Sequence, residues 1–511
     1  MLQGTCSNAG KSLLVAGLCR LFARRGFNVA PFKAQNMSLN SFVTQDGGEM
    51  GRAQVLQAQA CGLAPDVRMN PVLLKPTGDN GSHVLVLGKP WRQLRAREYM
   101  EAKRELWATV QRTYRDLARG RDVMLIEGAG SPAEINLRPY DIVNMRVARF
   151  THANVWLVAD IDRGGAFAAL AGTLALLTRG ERRLVQGLIL NKFRGDVTLL
   201  DPALDAITRR TGKPFVGTVP WLDALALPDE DGVSLKQSVA TRKPDGHTLD
   251  IAFIDLPRIS NATDLDALAV EEDVVLRPVR TASELGQPDC CILPGTRNTM
   301  ADMWHLHSSG LATAIRAYAT KALATGQGCL VGICGGLQML GTSIADPLGL
   351  ENGGEVAGFG LVPLQTTLER DKILRQTSGL AQPPLTEQAC AVHGYEIHHG
   401  QSAVAGGQSA VADGTTVTVI KADDGAALGV GVSAGTGHAA ATVPVWGTYL
   451  HGVFDSDAFR HDFCSRLRRQ KGLPSRPPVT FSPDRSLDRL ADCLEAHLDL
   501  QKHLPLCGIP W

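Results

Sequence analysis

No two cysteines in the 511-residue chain are spaced as CxxC, and the 11 that it has, an odd number, are scattered, with Cys290 and Cys291 adjacent. That distribution argues for reduced thiols and against a disulfide framework or a structural zinc site. No apolar run reaches the ~18 residues that cross a bilayer, and the first residues lack the charged, apolar and small-residue sections of a signal peptide. A soluble cytoplasmic protein with no membrane partner is therefore expected. Charge of one sign is missing too: the formal net charge is +1, too little for a broad nucleic-acid footprint, so any anionic ligand must be met by local cations. There is no internal repeat, and 44% apolar with 20% charged residues is ordinary globular usage rather than the signature of disorder. The chain is too long for one hydrophobic core, so two or three domains are expected.

What is present is a recurring pattern of short apolar runs, each closed by glycine or polar residues and followed by a helix-like stretch. VMLI precedes EGAG, VWLVA precedes DIDRGG, and LIL precedes NKFRG. Continuous rather than alternating apolar runs suit strands covered on both faces, so the pattern predicts a doubly wound α/β domain with a parallel sheet over residues 1–228. The polar, aperiodic stretch 229–248 reads as a linker. DIAFIDLP, CCILPG, CLVGICGG and VWGTYLHG then mark a second doubly wound α/β domain over 249–455, with β-hairpins expected in the glycine- and alanine-rich part from Ala403 to Ala441. Helical spacing over 456–511 predicts a terminal helical cap. In both halves the chemically loaded residues follow the apolar runs, the carboxyl edge where open parallel sheets bind ligands.

The first loaded segment is GTCSNAGKS, Gly4 to Ser12, which is a phosphate-binding loop with one residue too many: five residues, not four, separate Gly4 from Gly10. Gly4, Thr5, Asn8 and Gly10 would let backbone amides wrap a phosphate, with Lys11 adding charge and Ser12 reaching a magnesium ion. The plainer alternative is a strand-to-helix turn with a surface lysine. Only Met1, Leu2 and Gln3 precede the loop, whereas a strand usually takes about 5 residues, which points to a start slightly upstream. The elongated spacing is similar to that of dethiobiotin synthetase and its relatives, which activate a carboxylate with ATP. The resemblance implies that Glu127 in IEGAG binds Mg²⁺ together with Ser12, with Asp46 as the second acid. It implies that Asn191 in NKFRG reads adenine and that Lys33 in APFKAQN meets the substrate carboxylate and the transferred phosphate. Asp141, Asp160 and Asp162 are further candidates to orient cofactor, metal or substrate.

The second loaded segment is GICGG, Gly332 to Gly336. Small residues on both sides of Cys334 permit a tight strand-to-helix elbow, and a helix N-terminus favours the thiolate. His451 in YLHG, at the end of the last apolar run, is the candidate base. The pair resembles the class I glutamine amidotransferases, which implies attack of Cys334 on the side-chain amide of glutamine and oxyanion donors at Gly295 and Gly335. Most of that class carry glutamate two residues after the histidine. Here the position is Val453, so a cysteine–histidine dyad is expected. The histidines of HGYEIHHG have no cysteine or acidic partners at zinc spacing, so no metal site is expected there.

Taken in order, the loop, KAQNMSLNS, GRAQ, RMNPVLLKP, EGAGSPAEINL, DIDRGG, NKFRGD, GICGGLQ, GYEIHHG and YLHGVF resemble the cobyric acid synthase family along nearly the whole chain. The resemblance implies a ligase that uses ATP, Mg²⁺ and either L-glutamine or ammonia to amidate four carboxylates of a corrinoid a,c-diamide, those at positions b, d, e and g, with small molecules as its partners and a homo-oligomer as an open option. Two alternatives stand beside it. One is a ligase like cobyrinic acid a,c-diamide synthase, which shares the two-domain plan but differs around the EGAG segment. The other is a nucleotide-switched binding protein whose amidotransferase half is inactive.

Overall fold

The computed structural model describes residues 1–76, 81–222, 225, 227, 243–404, 415–433 and 442–510. The chain divides into two compact units, one made of Met1–Ser38, Gly48–Glu230 and Ser482–Trp511, the other of Leu39–Gly47 and Asp231–Phe481. Most of the expected linker, 229–242, lies outside the described residues. The stretch 456–511, expected as one helical cap, is divided: the helix Asp457–Lys471 belongs to the second unit and Pro483–His497 to the first.

In the first unit four parallel strands stand in the order Leu2–Gly4, Val155–Asp160, Val185–Phe193, Phe215–Pro220. A second parallel pair, Val29–Phe32 and Val123–Ile126, adjoins them through a bridge between Leu2 and Glu127, where the Gly128 amide donates to the Leu2 carbonyl at 2.8 Å. The first strand is thus central although only three residues long, because it has a neighbour on each side. The chain builds outward from it first to one side and then to the other. The turns after Leu2–Gly4 and Val123–Ile126 therefore flank the switch point at which open α/β sheets form their ligand crevice.

Both faces of this sheet are covered, which is why its strands carry continuous apolar runs. Leu14, Leu18 and Phe22 of the helix Lys11–Arg24 share a core with Leu487, Leu490 and Leu494 of the helix Pro483–His497. The latter helix starts with Pro483 in its first turn, and the Ser482 hydroxyl accepts the Asp484 amide at 3.2 Å, satisfying one otherwise orphaned donor. The two helices touch along Gly17, where a Cβ would stand 2.6 Å from Leu494 Cδ1. A separate core joins Leu157, Leu188 and Leu190 of the strands to Leu170 and Leu174 of the helix Ala166–Leu176.

The second unit is built on one sheet of 11 strands. Five are parallel, in the order Val274–Val279, Leu249–Ile254, Cys290–Leu293, Leu330–Ile333, Val445–Thr448. Beyond Val445–Thr448 the sheet continues as a mixed extension through Ala427–Ser433, Thr415–Ala422 and the long strand Leu364–Ala381, which pairs with Cys390–Val404. The doubly wound expectation holds for the parallel half; the extension was legible only as the hairpin that Thr415–Ala422 and Ala427–Ser433 form. Residues 405–414 and 434–441 of that region lie outside the described residues. Register matters most where Ile333 pairs with Thr448, because it brings Cys334 and the run from Tyr449 to His451 to the same edge of the sheet.

Candidate active sites

In the first unit the loop GTCSNAGKS leaves the central strand and enters the helix Lys11–Arg24 at Gly10, whose φ of 89° lies in the left-handed region. Asn8 is also left-handed, at φ 61°, a conformation that asparagine tolerates better than most residues. The Thr5 amide continues the sheet by donating to the Val158 carbonyl at 2.9 Å. Lys11 folds back along its own loop, and its Nζ donates to the Cys6 carbonyl at 3.1 Å. A Cβ at Gly4 would stand 2.8 Å from the Cys6 carbonyl oxygen, a backbone atom, so the turn requires glycine there.

Glu127 is the hub of this site. It is fully buried, and its Oε1 accepts from Ser12 Oγ and from Lys33 Nζ, both at 2.8 Å, while Oε2 accepts from Gln57 Nε2 at 2.6 Å. Ser12, Lys33 and Glu127, from three segments distant in sequence, are thereby joined. Burying a carboxylate is costly unless it is paired and hydrogen-bonded, and here it is both. A hydroxyl and a carboxylate oxygen side by side are the hard donors that Mg²⁺ prefers, so Ser12 and Glu127 fit that ion. Gln57, in the helix Arg52–Ala60, was not singled out from the sequence; it lies one turn beyond the GRAQ segment, Gly51–Gln54.

Three further expected site residues have the following partners. Asp46 lies in the second unit, on an exposed turn where its carboxylate accepts from Thr44 Oγ1. Asp141 serves as a cap: its carboxylate accepts from the amides of Val143, Asn144 and Arg146 at 2.8, 2.8 and 2.9 Å, at the start of the helix Met145–Thr151. Asn191 gives one Nδ2 hydrogen to the Ala9 carbonyl at 2.9 Å. Asp160 is buried and accepts from Lys192 Nζ at 2.8 Å, whereas Asp162 is exposed beside Arg194.

In the second unit Cys334 stands between the strand Leu330–Ile333 and the helix Gly335–Leu340 with φ 52° and ψ −105°. A left-handed non-glycine residue at an elbow of this kind stores about 1–3 kcal/mol of backbone strain, held by the packing around it. A Cβ at Gly336 would lie 2.0 Å from the Leu293 carbonyl oxygen, and one at Gly335 would lie 2.8 Å from Thr296 Cγ2. The loop after Cys290–Leu293 is thus pressed against the first turn of the helix. A Cβ at Gly295, in that loop, would be 3.1 Å from His451 Cε1 and 3.9 Å from Cys334 Cβ. Cys334, His451, Gly295 and Gly335 therefore converge.

The expected dyad is corrected to a triad. His451 Nδ1 is 2.7 Å from Asp264 Oδ2, and Asp264 Oδ1 accepts the Gly452 amide at 2.9 Å, so the carboxylate grips both the ring and the backbone beside it. Val453 leaves the sequence-adjacent position empty of charge, and Asp264 supplies it from a turn nearly two hundred positions earlier. Nothing in NATDLD distinguishes Asp264 from Asp266 on the page of the sequence. With Nδ1 donating to Asp264, the other ring nitrogen is left for Cys334. Burial alone would lower the His451 pKa, but the charges and hydrogen bonds of Asp264 and Cys334 outweigh it and push it up to about 10.

The strand Cys390–Val404, which carries GYEIHHG, forms a wall of this site. Tyr395 stacks on His451 with ring centroids 5.3 Å apart, and the Ile397 carbonyl accepts from Cys334 Sγ at 3.8 Å. His398 stacks on Tyr449 at 3.8 Å, and its Nδ1 is 2.7 Å from the Gly400 carbonyl. The histidines of the segment thus shape the wall. Gln338, one turn after Cys334, accepts from Thr299 Oγ1 at 3.0 Å and donates to Tyr449 Oη at 3.4 Å.

A strained cysteine elbow with a histidine and an aspartate, on a parallel sheet, joined in one chain to a phosphate-binding-loop unit, defines a glutamine amidotransferase coupled to a nucleotide-binding domain. The family models agree: residues 1–235 match the CobQ/CobB/MinD/ParA nucleotide binding domain, and residues 250–459 match the CobB/CobQ-like glutamine amidotransferase domain. The chain is 49% identical to the cobyric acid synthase of Nitratidesulfovibrio vulgaris (strain Hildenborough), covering 100% of this chain and 97% of that protein. It is 48% identical to that of Moorella thermoacetica, with coverage of 100% and 97%, and 46% identical to that of Desulfitobacterium hafniense (strain DCB-2), with coverage of 100% and 98%. The chain belongs to the cobyric acid synthase family, and so is a ligase with a glutamine amidotransferase domain. Among the described residues, no helix is long and apolar enough to cross a membrane.

Proposed function

We propose that the chain amidates the b, d, e and g carboxylates of adenosylcobyrinic acid a,c-diamide to give adenosylcobyric acid, using ATP and glutamine in the cytoplasm. The observation that carries this reading is the line Cys334–His451–Asp264, in a chain that matches the cobyric acid synthases end to end. An inactive amidotransferase half would have no reason to keep all three groups in contact.

In the second unit the Cys334 thiolate attacks the side-chain amide carbon of glutamine. The amides of Gly335 and Gly295 face the oxygen on which negative charge develops, and such preorganised donors are worth several kcal/mol. His451, held protonated by Asp264, gives its proton to the departing nitrogen, so ammonia leaves and a thioester remains. Water, deprotonated by the same imidazole, then releases glutamate.

In the first unit a carboxylate must be activated, because at neutral pH it does not react usefully with an amine. Its oxygen attacks the terminal phosphorus of ATP, ADP leaves, and ammonia displaces phosphate from the acyl phosphate. Loop amides and Lys11 hold the phosphates, and Lys33 sits where a substrate carboxylate would meet them. Magnesium, held by Ser12 and Glu127, would add neutralisation of phosphate charge. Mass spectrometry of products made from a corrinoid a,c-diamide with ATP and glutamine tests the reading. A ladder of four steps, each exchanging one hydroxyl for one amino group, is expected; a ladder that stops earlier, or that forms without ATP, refutes it.

A further inference from the structure

We infer that Asn191 and Lys192 act together as a clamp that fixes the elongated loop in its phosphate-binding shape, with Lys192 as a positioning residue for the ATP-dependent step. The inference rests on the nucleotide reading of the first unit and deepens it. A loop that turns its amides towards an anion turns its carbonyls outward, and each buried carbonyl then needs a donor. In this loop Ala9 is buried and Asn8 is exposed. Two consecutive residues at the end of the strand Val185–Phe193 meet two consecutive loop carbonyls: Lys192 Nζ donates to Asn8 O at 2.8 Å and Asn191 Nδ2 to Ala9 O at 2.9 Å.

The clamp is built from both sides. Lys192 has φ 63° and Asn8 φ 61°, so both partners of this contact hold left-handed conformations. Lys192 Nζ is also 2.8 Å from Oδ2 of the buried Asp160, whose Oδ1 accepts the Asp162 amide at 3.0 Å. The ammonium therefore has a fixed anchor, and its direction towards the loop is set. A Cβ at Gly10 would fall 2.1 Å from Asn191 Nδ2. The glycine that opens the helix is thus also the gap through which Asn191 reaches the loop. The clamp therefore acts on the shape of the loop that receives phosphates.

Binding of ATP, GTP and inorganic tripolyphosphate to the full chain, measured by calorimetry, tests this. Lys192→Ala is expected to weaken ATP and tripolyphosphate by the same factor, about 10- to 100-fold, the weight of one charged hydrogen bond. The ratio of ATP to GTP affinity stays as in the wild type, and Lys192→Arg recovers most of the loss. Asn191→Ala, a smaller change to the same clamp, weakens all three ligands in parallel. If Asn191→Ala weakens ATP but leaves tripolyphosphate untouched, the residue reads the base and the clamp is wrong. Unchanged tripolyphosphate binding in Lys192→Ala overturns it as well. A wild type that binds neither ATP nor tripolyphosphate overturns instead the nucleotide reading beneath it.

Discussion

The turns Gly4–Ser12 and Gly332–Gly336 have the same plan, a buried parallel strand leading through glycines into a helix, yet they distribute their strain and charge in opposite ways. In the first the unusual backbone is spread over Asn8 and Gly10, and the charges around it cancel locally through the Ser12, Lys33 and Gln57 contacts to Glu127. In the second a single residue, Cys334, carries the unusual φ, and the packing around it leaves no space for a methyl group at Gly336. An anion is held by many donors that share the task, whereas a nucleophile is one atom that must be placed.

The largest effects come from removing the central group of each turn, and the nitrogen source separates them. Cys334→Ala is expected to cut glutamine-dependent synthesis by about 10⁴-fold or more, as loss of a covalent nucleophile does, while synthesis from high free ammonia persists. Lys11→Ala is expected to lose synthesis with either source, because it acts on carboxylate activation. Product formation with glutamine or ammonium salts checks both, and a Lys11→Ala enzyme that works normally with ammonia would remove the loop from the mechanism.

Next in size is the aspartate that orients the histidine. Asp264→Asn should lower glutaminase turnover by about 10²- to 10⁴-fold, since it favours the wrong tautomer without removing a reacting atom. The pH profile should move with it. His451 is raised from 6.5 to about 10, by Asp264 and Cys334 acting against burial. A raised pKa means that the proton is bound more tightly in the folded chain, so its contribution to stability is complete below pH 6.5 and is lost as the pH rises towards about 10. Without the Asp264 carboxylate the alkaline limb of both glutaminase activity and stability should shift to lower pH. A limb that does not move would mean that Asp264 holds only the Gly452 backbone.

How much of this was legible in the sequence differs between the two turns for the same physical reason. The parallel sheets, the loop, the elbow and His451 are written in continuous apolar runs and in local spacing, which one strand and one turn suffice to determine. Glu127 and Lys33 were singled out through the resemblance to dethiobiotin synthetase, at positions that follow apolar runs. Asp264 does not, because it comes from an irregular segment and is brought to His451 by tertiary packing alone. Asp46 and Asn191 came from the same resemblance, and the bonds that Asp46, Asp141 and Asn191 make to a turn hydroxyl, helix-start amides and a loop carbonyl have no signature in the sequence. The mixed extension beyond Val445–Thr448 was obscured by its many small residues, whose alternation carries little hydrophobic contrast.

A smaller effect, on stability rather than chemistry, tests the crowding of the elbow. Gly336→Ala puts a methyl group 2.0 Å from the Leu293 carbonyl oxygen, a backbone atom that cannot rotate away. Overpacking of this kind costs about 1–3 kcal/mol. Gly172→Ala, in the helix Ala166–Leu176 with nothing within 4 Å of the new Cβ, should instead stabilise by about 0.5–1 kcal/mol. Calorimetry that follows the transitions of each variant separates the two, and equal melting would mean that the elbow relaxes freely.

The smallest effect expected is at the helix pair that closes the first unit. Arg20 donates to both oxygens of Asp488, at 2.7 and 3.1 Å, and lies 3.1 Å from Asp484, yet the Asp488 side chain is 43% exposed. Solvent screens such a contact, so Arg20→Ala should cost under about 1 kcal/mol at neutral pH and less in high salt. The hydrogen bond from Arg20 holds the Asp488 carboxyl below its ordinary 3.8. A lowered carboxylate pKa contributes stability above the unfolded value and loses it as the pH falls through the folded one, so the difference between wild type and Arg20→Ala should vanish in acid. Leu490→Ala, which empties the core shared with Leu14 and Phe22, should cost about 2–5 kcal/mol at every pH. If the arginine variant loses as much as the leucine variant, these helices are held by charge and not by packing, contrary to what Gly17 and its leucine neighbours indicate.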